Sequence, residues 1–252
     1  MIKINSFEEY KEHFKLSVEQ PEKFWDSIAN EFVWHKKWTK TLEWNFEEPK
    51  INWFINGQLN ITQNCIDRYL PQYANKTAFI FEPNNPNEKN EIISYQKLHD
   101  EVCRLANVLL KMGVNKGDTV CIYMPMIPQA VYAMLACARI GAIHSVVFGG
   151  FSSNALKDRI NDAKCKIILT TDGAYRGNKV IPMKETIDEA LTHCDSVKNV
   201  LVYKRTNTKV TMLNNRDLDW EEEIKNQPTI CEPVFVDSEH PLFILYTSGS
   251  TG

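Results

Sequence analysis

The residues best suited to chemistry are the hydroxyls and glycines of Tyr246-Thr247-Ser248-Gly249-Ser250-Thr251-Gly252, directly after the apolar run Leu242-Phe243-Ile244-Leu245, which reads as a short buried strand. Glycine lets backbone N–H groups close on an anion, and Ser and Thr add side-chain donors. A turn of this composition forms a nest suited to phosphate. It is not a Walker A loop, because no Gly-Lys-Ser/Thr closes it. A solvated Ser/Gly linker is the usual reading of such a cluster; the abrupt passage from apolar strand to loop and the tyrosine count against it.

Two further loops follow apolar strands. After Val146-Val147-Phe148 comes Gly149-Gly150-Phe151-Ser152, a tight strand-to-helix turn with Ser152 or Ser153 as helix cap. A glycine turn also permits close approach of a ligand to the backbone. After Leu169-Thr170-Thr171-Asp172 comes Gly173-Ala174-Tyr175-Arg176-Gly177-Asn178-Lys179. Here Arg176 and Lys179 can bracket phosphates, one as a bidentate fork and one as a point charge, or form a solvated basic loop. The histidines have no catalytic setting: His144 falls in a buried strand as a hydrogen-bonded core residue, and His240 lies in a connecting loop. No Ser-His-Asp order and no metal-ligand spacing stands out, and Glu221-Glu222-Glu223 reads as a solvated face.

The elements that must position these loops alternate. Strands are expected at 77–82, 119–124, 143–148, 166–171, 200–203 and 242–245. Between them lie helices at 95–112, capped by Ser94 and stopped by Gly113, then 128–140, near 153–162, and 182–194. This alternation argues for right-handed βαβ units: an α/β fold with a mostly parallel sheet and flanking helices. In such sheets ligands sit beyond the carboxyl ends of the strands, where all three loops fall. The stretch 204–240 is polar and crosses the surface. Ahead of the alternation, Trp25, Trp34, Trp38, Trp44 and Trp53 crowd residues 1–60. Pro21 starts a helix over 21–34, and Asn56-Gly57 signals a hairpin turn. This is an aromatic-rich helical extension over 1–62, with 63–252 as the main domain.

With 252 residues, 43% apolar and 24% charged, the chain can bury a real core. Its net charge of −3 gives no reason to expect nucleic acid or an anionic membrane as partner. No apolar run approaches the roughly 18 residues that span a bilayer, and the polar, acidic N-terminus is neither a signal nor a transit peptide. Seven cysteines without a C-x-x-C pair read as reduced core thiols of a cytoplasmic protein. The alternation alone would also allow half of a dinucleotide-binding oxidoreductase, but no G-x-G-x-x-G follows a strand.

The heptad 246–252 resembles the Y-T-S-G-[ST]-T-G signature of AMP-forming acyl-CoA synthetases, the adenylate-forming superfamily. The string Trp53 to Leu70, WFINGQLNITQNCIDRYL, resembles the entry to the acetyl-CoA synthetase family, whose members carry an N-terminal extension. The family implies ATP-dependent, AMP-forming ligation of acetate to coenzyme A through an acetyl-adenylate, with ATP, Mg2+ and coenzyme A as cofactors and small molecules as partners. A propionyl-CoA synthetase and a non-catalytic coenzyme A-binding fragment are the alternatives. By resemblance, Thr247, Ser248, Gly249, Ser250, Thr251 and Gly252 hold ATP phosphates. Phe148, Gly149 and Gly150, with Arg176, Gly177, Asn178 and Lys179, contact coenzyme A. Asn178 departs from the family's usual Gly, and Lys179 stands where Arg is common. Members are more than twice this length and continue past this loop into Lys-Pro-Lys-Gly, so the acetate pocket and the adenylation lysine are expected beyond Gly252. The 252-residue chain alone is expected to make no acetyl-adenylate.

Overall fold

The structure, a computed structural model, describes residues 3–247. The chain divides into two compact units, Met1–Asn64 with Phe235–His240, and Cys65–Val234 with Pro241–Gly252.

The first unit opens with the helices Phe7–Glu19 and Pro21–Ala29, the former capped by Ser6 and the latter begun by Pro21. The expected helix over 21–34 therefore ends at Ala29, and its aromatic face is only half covered, with Trp25 41% exposed. A hairpin pairs Lys40–Asn45 with Lys50–Ile55. The Asn56-Gly57 turn is real, with Asn56 at φ +63, but it joins no hairpin. The strand after it, Gln58–Leu59, pairs with Val236–Asp237 from far along the chain.

Among the described residues of the second unit, six strands form one wholly parallel sheet. Its order is Asp217–Asp219, Asn199–Tyr203, Ile167–Thr171, Thr119–Tyr123, Ile143–Val146, Phe243–Ile244. Helices cover both faces of the strands Thr119–Tyr123, Ile167–Thr171 and Asn199–Tyr203, which read as near-continuous apolar runs. Period-two alternation sends Val120, Ile122, Ile167, Leu169 and Leu201 into one core. There they meet the helices Tyr95–Lys111 and Pro128–Arg139. Cys121, Tyr123, Ile168, Val200 and Val202 enter the other core, against Ser153–Asp162 and Met183–Leu191. Ser94 and Ser152 cap their helices by accepting the N–H groups of Lys97 and Ala155, each worth about 1 kcal/mol.

Three expectations need correction. The strand Thr77–Phe81 lies outside the parallel sheet and pairs antiparallel with Glu91–Ser94. The segment 173–181 is no open loop but a hairpin of Ala174–Arg176 with Lys179–Ile181. Among the described residues Phe243–Ile244 is an edge strand, with Phe243 54% exposed and Leu245, just beyond it, 67% exposed. The stretch 204–240 also holds a sheet strand and the short helix Trp220–Ile224, capped by Asp219. Glu223 of that helix binds Lys111 at 2.8 Å. No helix among the described residues is long and apolar enough to cross a membrane.

Candidate functional site

The chain enters the sheet at Thr119–Tyr123, adds Ile143–Val146 on one side, then crosses to Ile167–Thr171 on the other. A crevice opens where the winding reverses, beyond the carboxyl ends of the strands. It holds a cleft of about 610 Å³. Its wall includes Met124, Phe148, Gly149, Gly150 and Leu245, which follow strands of the parallel sheet, and Arg176 of the hairpin that follows Ile167–Thr171.

The Gly149-Gly150 turn is fixed from beneath. Tyr123 is buried, and its hydroxyl donates to the carbonyl oxygens of Gly149 at 3.2 Å and Phe151 at 3.1 Å. Burial pushes that phenol above its ordinary pKa. A Cβ at Gly150 would sit 2.5 Å from the Phe148 ring, so a side chain there would have to displace that exposed ring. Phe148 itself is 65% exposed and meets Phe151 edge-on at 5.9 Å.

The second element is the hairpin. Arg176 and Lys179 are cross-strand partners, joined by the two-residue turn Gly177-Asn178. Gly177, at φ +58, occupies the first central position, where a type II′ hairpin takes glycine. Arg176, Gly177, Asn178 and Lys179 are all exposed. Directly opposed residues of an antiparallel pair share a face, so the two cations are presented together.

The third element is the root of the terminal loop. Tyr246 donates to Asp162 Oδ2 at 2.5 Å, and the Arg159 guanidinium lies over both the Phe151 ring (4.5 Å) and the Tyr246 ring (5.2 Å). Burial, then the Asp162 carboxylate, push the Tyr246 phenol upward. The loop thus leaves the sheet tied to the helix that follows the Gly149-Gly150 turn. Thr247 is exposed at its start; Ser248, Gly249, Ser250, Thr251 and Gly252 lie outside the described residues.

Sequence reasoning missed Asp172, Arg205 and Asn84. Asp172 is fully buried at the end of its strand and accepts four backbone N–H groups. Arg205 and Asn84 border the cleft. The only signal for Asp172 was an acid closing an apolar run. His144 is buried as expected, but its Nδ1 has no hydrogen-bond partner among the described residues. No group of three or more His, Cys, Asp or Glu side chains among the described residues could hold a metal ion. An apolar cleft with the exposed Arg176 and the half-buried Arg205 at its rim suits a ligand with an apolar body and an anionic end.

Residues 66–252 match the family model of AMP-binding enzymes, and the chain belongs to that family. Ahead of that span, residues 10–65 match the model of the acetyl-coenzyme A synthetase N-terminus. The acetyl-coenzyme A synthetase of Saccharophagus degradans is 51% identical over 246 residues, 97% of this chain and 38% of that protein. That of Dictyostelium discoideum is 48% identical over 253 residues, 99% of this chain and 37% of that protein. The solved acetoacetyl-CoA synthetase from Streptomyces lividans superposes with a TM-score of 0.83 at 26% identity, over 93% of this chain and 35% of that one. The chain therefore spans a little over a third of the length of these relatives.

Proposed function

We propose that this chain forms the coenzyme A-binding and phosphate-loop face of an ATP-dependent, AMP-forming acetate–CoA ligase. Residues 1–62 serve as its N-terminal extension and 63–252 as the first part of its adenylation domain. One observation carries the reading: Arg176, the Gly149-Gly150 turn and Leu245, on the strand's way to Thr247, all line one cleft beyond the carboxyl ends of parallel strands, with Lys179 directly opposite Arg176 in its hairpin.

In the reaction an acetate oxygen bonds to the α-phosphorus of ATP and pyrophosphate leaves with the electron pair of the broken P–O bond. The coenzyme A sulfur then attacks the acyl carbon, its proton is lost, and AMP departs. Thr247, Ser248, Gly249, Ser250, Thr251 and Gly252 would hold the departing phosphates by N–H groups and hydroxyls, where charge develops. Arg176 and Lys179 would hold phosphate of coenzyme A, with Phe148, Gly149 and Gly150 along its body. Mg2+ would share the phosphate charge, and the described residues supply it no donor cluster. A reducing, cytoplasmic setting belongs to the same reading, supported by six cysteines buried as thiols.

Titration calorimetry of coenzyme A into the 252-residue chain tests this. Binding is expected, and Arg176→Ala should weaken it about tenfold, the effect of one charge-assisted contact. Equal affinity in the two proteins would sink the assignment.

A further inference from the structure

The hairpin tip is exposed and weakly supported by its own contacts. A Cβ at Gly177 would meet nothing within 4 Å, isolated two-stranded hairpins are marginal in water, and like charges directly opposed work against this one. Something outside the hairpin has to hold it.

Two points on one surface loop do so. Asn84 Nδ2 donates to the Gly177 carbonyl oxygen at 3.2 Å. Glu88, further along the loop, accepts from Arg205 Nη2 at 3.0 Å. The Arg205 guanidinium lies over the ring of Tyr175, 5.2 Å from its centroid, and over Phe81 at 5.9 Å. Tyr175 immediately precedes Arg176 and is the cross-strand partner of Val180.

Arg205 is fixed at its backbone as well. Asp172 Oδ1 accepts the N–H groups of Gly173 (2.7 Å), Arg205 (2.8 Å) and Thr206 (3.0 Å), and Oδ2 accepts that of Thr208 (2.8 Å). One buried carboxylate thus clips the start of the hairpin segment to the segment leaving the neighbouring parallel strand, Asn199–Tyr203.

We propose that Arg205, clipped by Asp172 and gripped by Glu88, is a positioning residue. It holds Tyr175, and through it the hairpin, so that Arg176 and Lys179 present their charge to one phosphate group. The clamp itself is a property of the unliganded chain; only its consequence for coenzyme A rests on the proposed function.

Hydrogen exchange on the unliganded 252-residue chain reads the clamp directly. Arg205→Ala and Glu88→Gln are expected to speed exchange over 174–181 about tenfold, the equivalent of one lost cation–π or charge-assisted contact. Amides of Thr119–Tyr123 and Ile167–Thr171 should keep their protection. Glu88 sits at the surface, so its variant serves if Arg205→Ala does not fold. Coenzyme A affinity should fall severalfold in both, and Arg205→Lys should not restore it, because lysine keeps the charge but loses the planar stack and fork. Unchanged exchange over 174–181 overturns the positioning role, as does full recovery by Arg205→Lys, which would make Arg205 a direct charge contact. Faster hairpin exchange in a chain whose wild type takes up no coenzyme A upholds the clamp and sinks the proposed function instead.

Discussion

Arg176 and Lys179 stand directly opposite each other across an antiparallel pair, two like charges on one face. That pairing opposes folding by a few tenths of a kcal/mol, a cost that a bound phosphate would offset. Lys179 supplies a point charge where a guanidinium would supply a fork. Lys179→Arg should therefore tighten coenzyme A binding about threefold, and Lys179→Ala should weaken it about tenfold. Lys179→Ala should also leave the unliganded melting temperature unchanged or slightly raised. Calorimetry and a thermal melt measure both; a marked loss of stability in Lys179→Ala would make the lysine a structural residue.

Lys184 is a second charge whose removal should be felt, for a different reason. Its side chain is fully buried, 2.8 Å from both Asp188 and Asp217, and donates to the Thr211 carbonyl oxygen at 3.0 Å. The Asp217 side chain is also fully buried. Burial pushes that carboxyl up, but Arg216 and Lys184 outweigh it and hold it below the usual carboxylate range. Lys184→Met leaves Asp217 short of a partner and should cost about 3 kcal/mol of stability. Adding Asp217→Asn should return part of that loss. Urea unfolding of the single and double variants checks it, and simple additivity would show the pair to be uncoupled.

The sheet was legible because strands such as Thr119–Tyr123, Ile167–Thr171 and Asn199–Tyr203 are short, largely apolar runs separated by segments of helical period. Partnering was not. Thr77–Phe81 has the same local pattern whether it joins the parallel sheet or a separate hairpin, and Gln58–Leu59 finds its partner at Val236–Asp237, which no local window contains. The edge strand Phe243–Ile244 read as buried because apolar content reports what a strand could cover, not what covers it. At the candidate site, Arg176 and Lys179 could be picked out as residue types in a glycine-containing segment. Asp172 and Arg205 could not, since an acid ending a strand and a basic pair at 204–205 look like ordinary surface charge. Their meaning lies in backbone N–H groups more than thirty positions apart.

The thiols offer a check on the core. Cys103, Cys121, Cys137, Cys165, Cys194 and Cys231 are buried, and Cys65 is exposed. Burial pushes Cys137 up to about 12 and Cys103 to about 11. Even Cys65 is raised by desolvation to about 11. Thiolate is the reactive form, so at pH 8 the native protein should titrate slowly and with no more than one thiol, and the denatured chain with all seven. Rapid reaction of several native thiols would mean the cores around the sheet open readily.

His144 is 8% exposed, stacks on Phe243 with ring centroids 5.7 Å apart, and its Nδ1 has no hydrogen-bond partner among the described residues. Burial with no compensating charge pushes its pKa down to about 4, against about 6.5 in an unfolded chain. Between those values the unfolded state binds a proton that the folded state refuses, so acidification favours unfolding. The neutral imidazole costs nothing above about pH 6.5. Stability should then fall as pH drops toward 4, by on the order of 2 to 3 kcal/mol from this residue. His144→Leu removes the titration and keeps an apolar contact for Phe243. The gap between wild type and variant in urea midpoint should shift in the variant's favour from pH 7 to pH 4.5. A gap that stays constant across that range would mean His144 is protonated as readily in the fold as outside it.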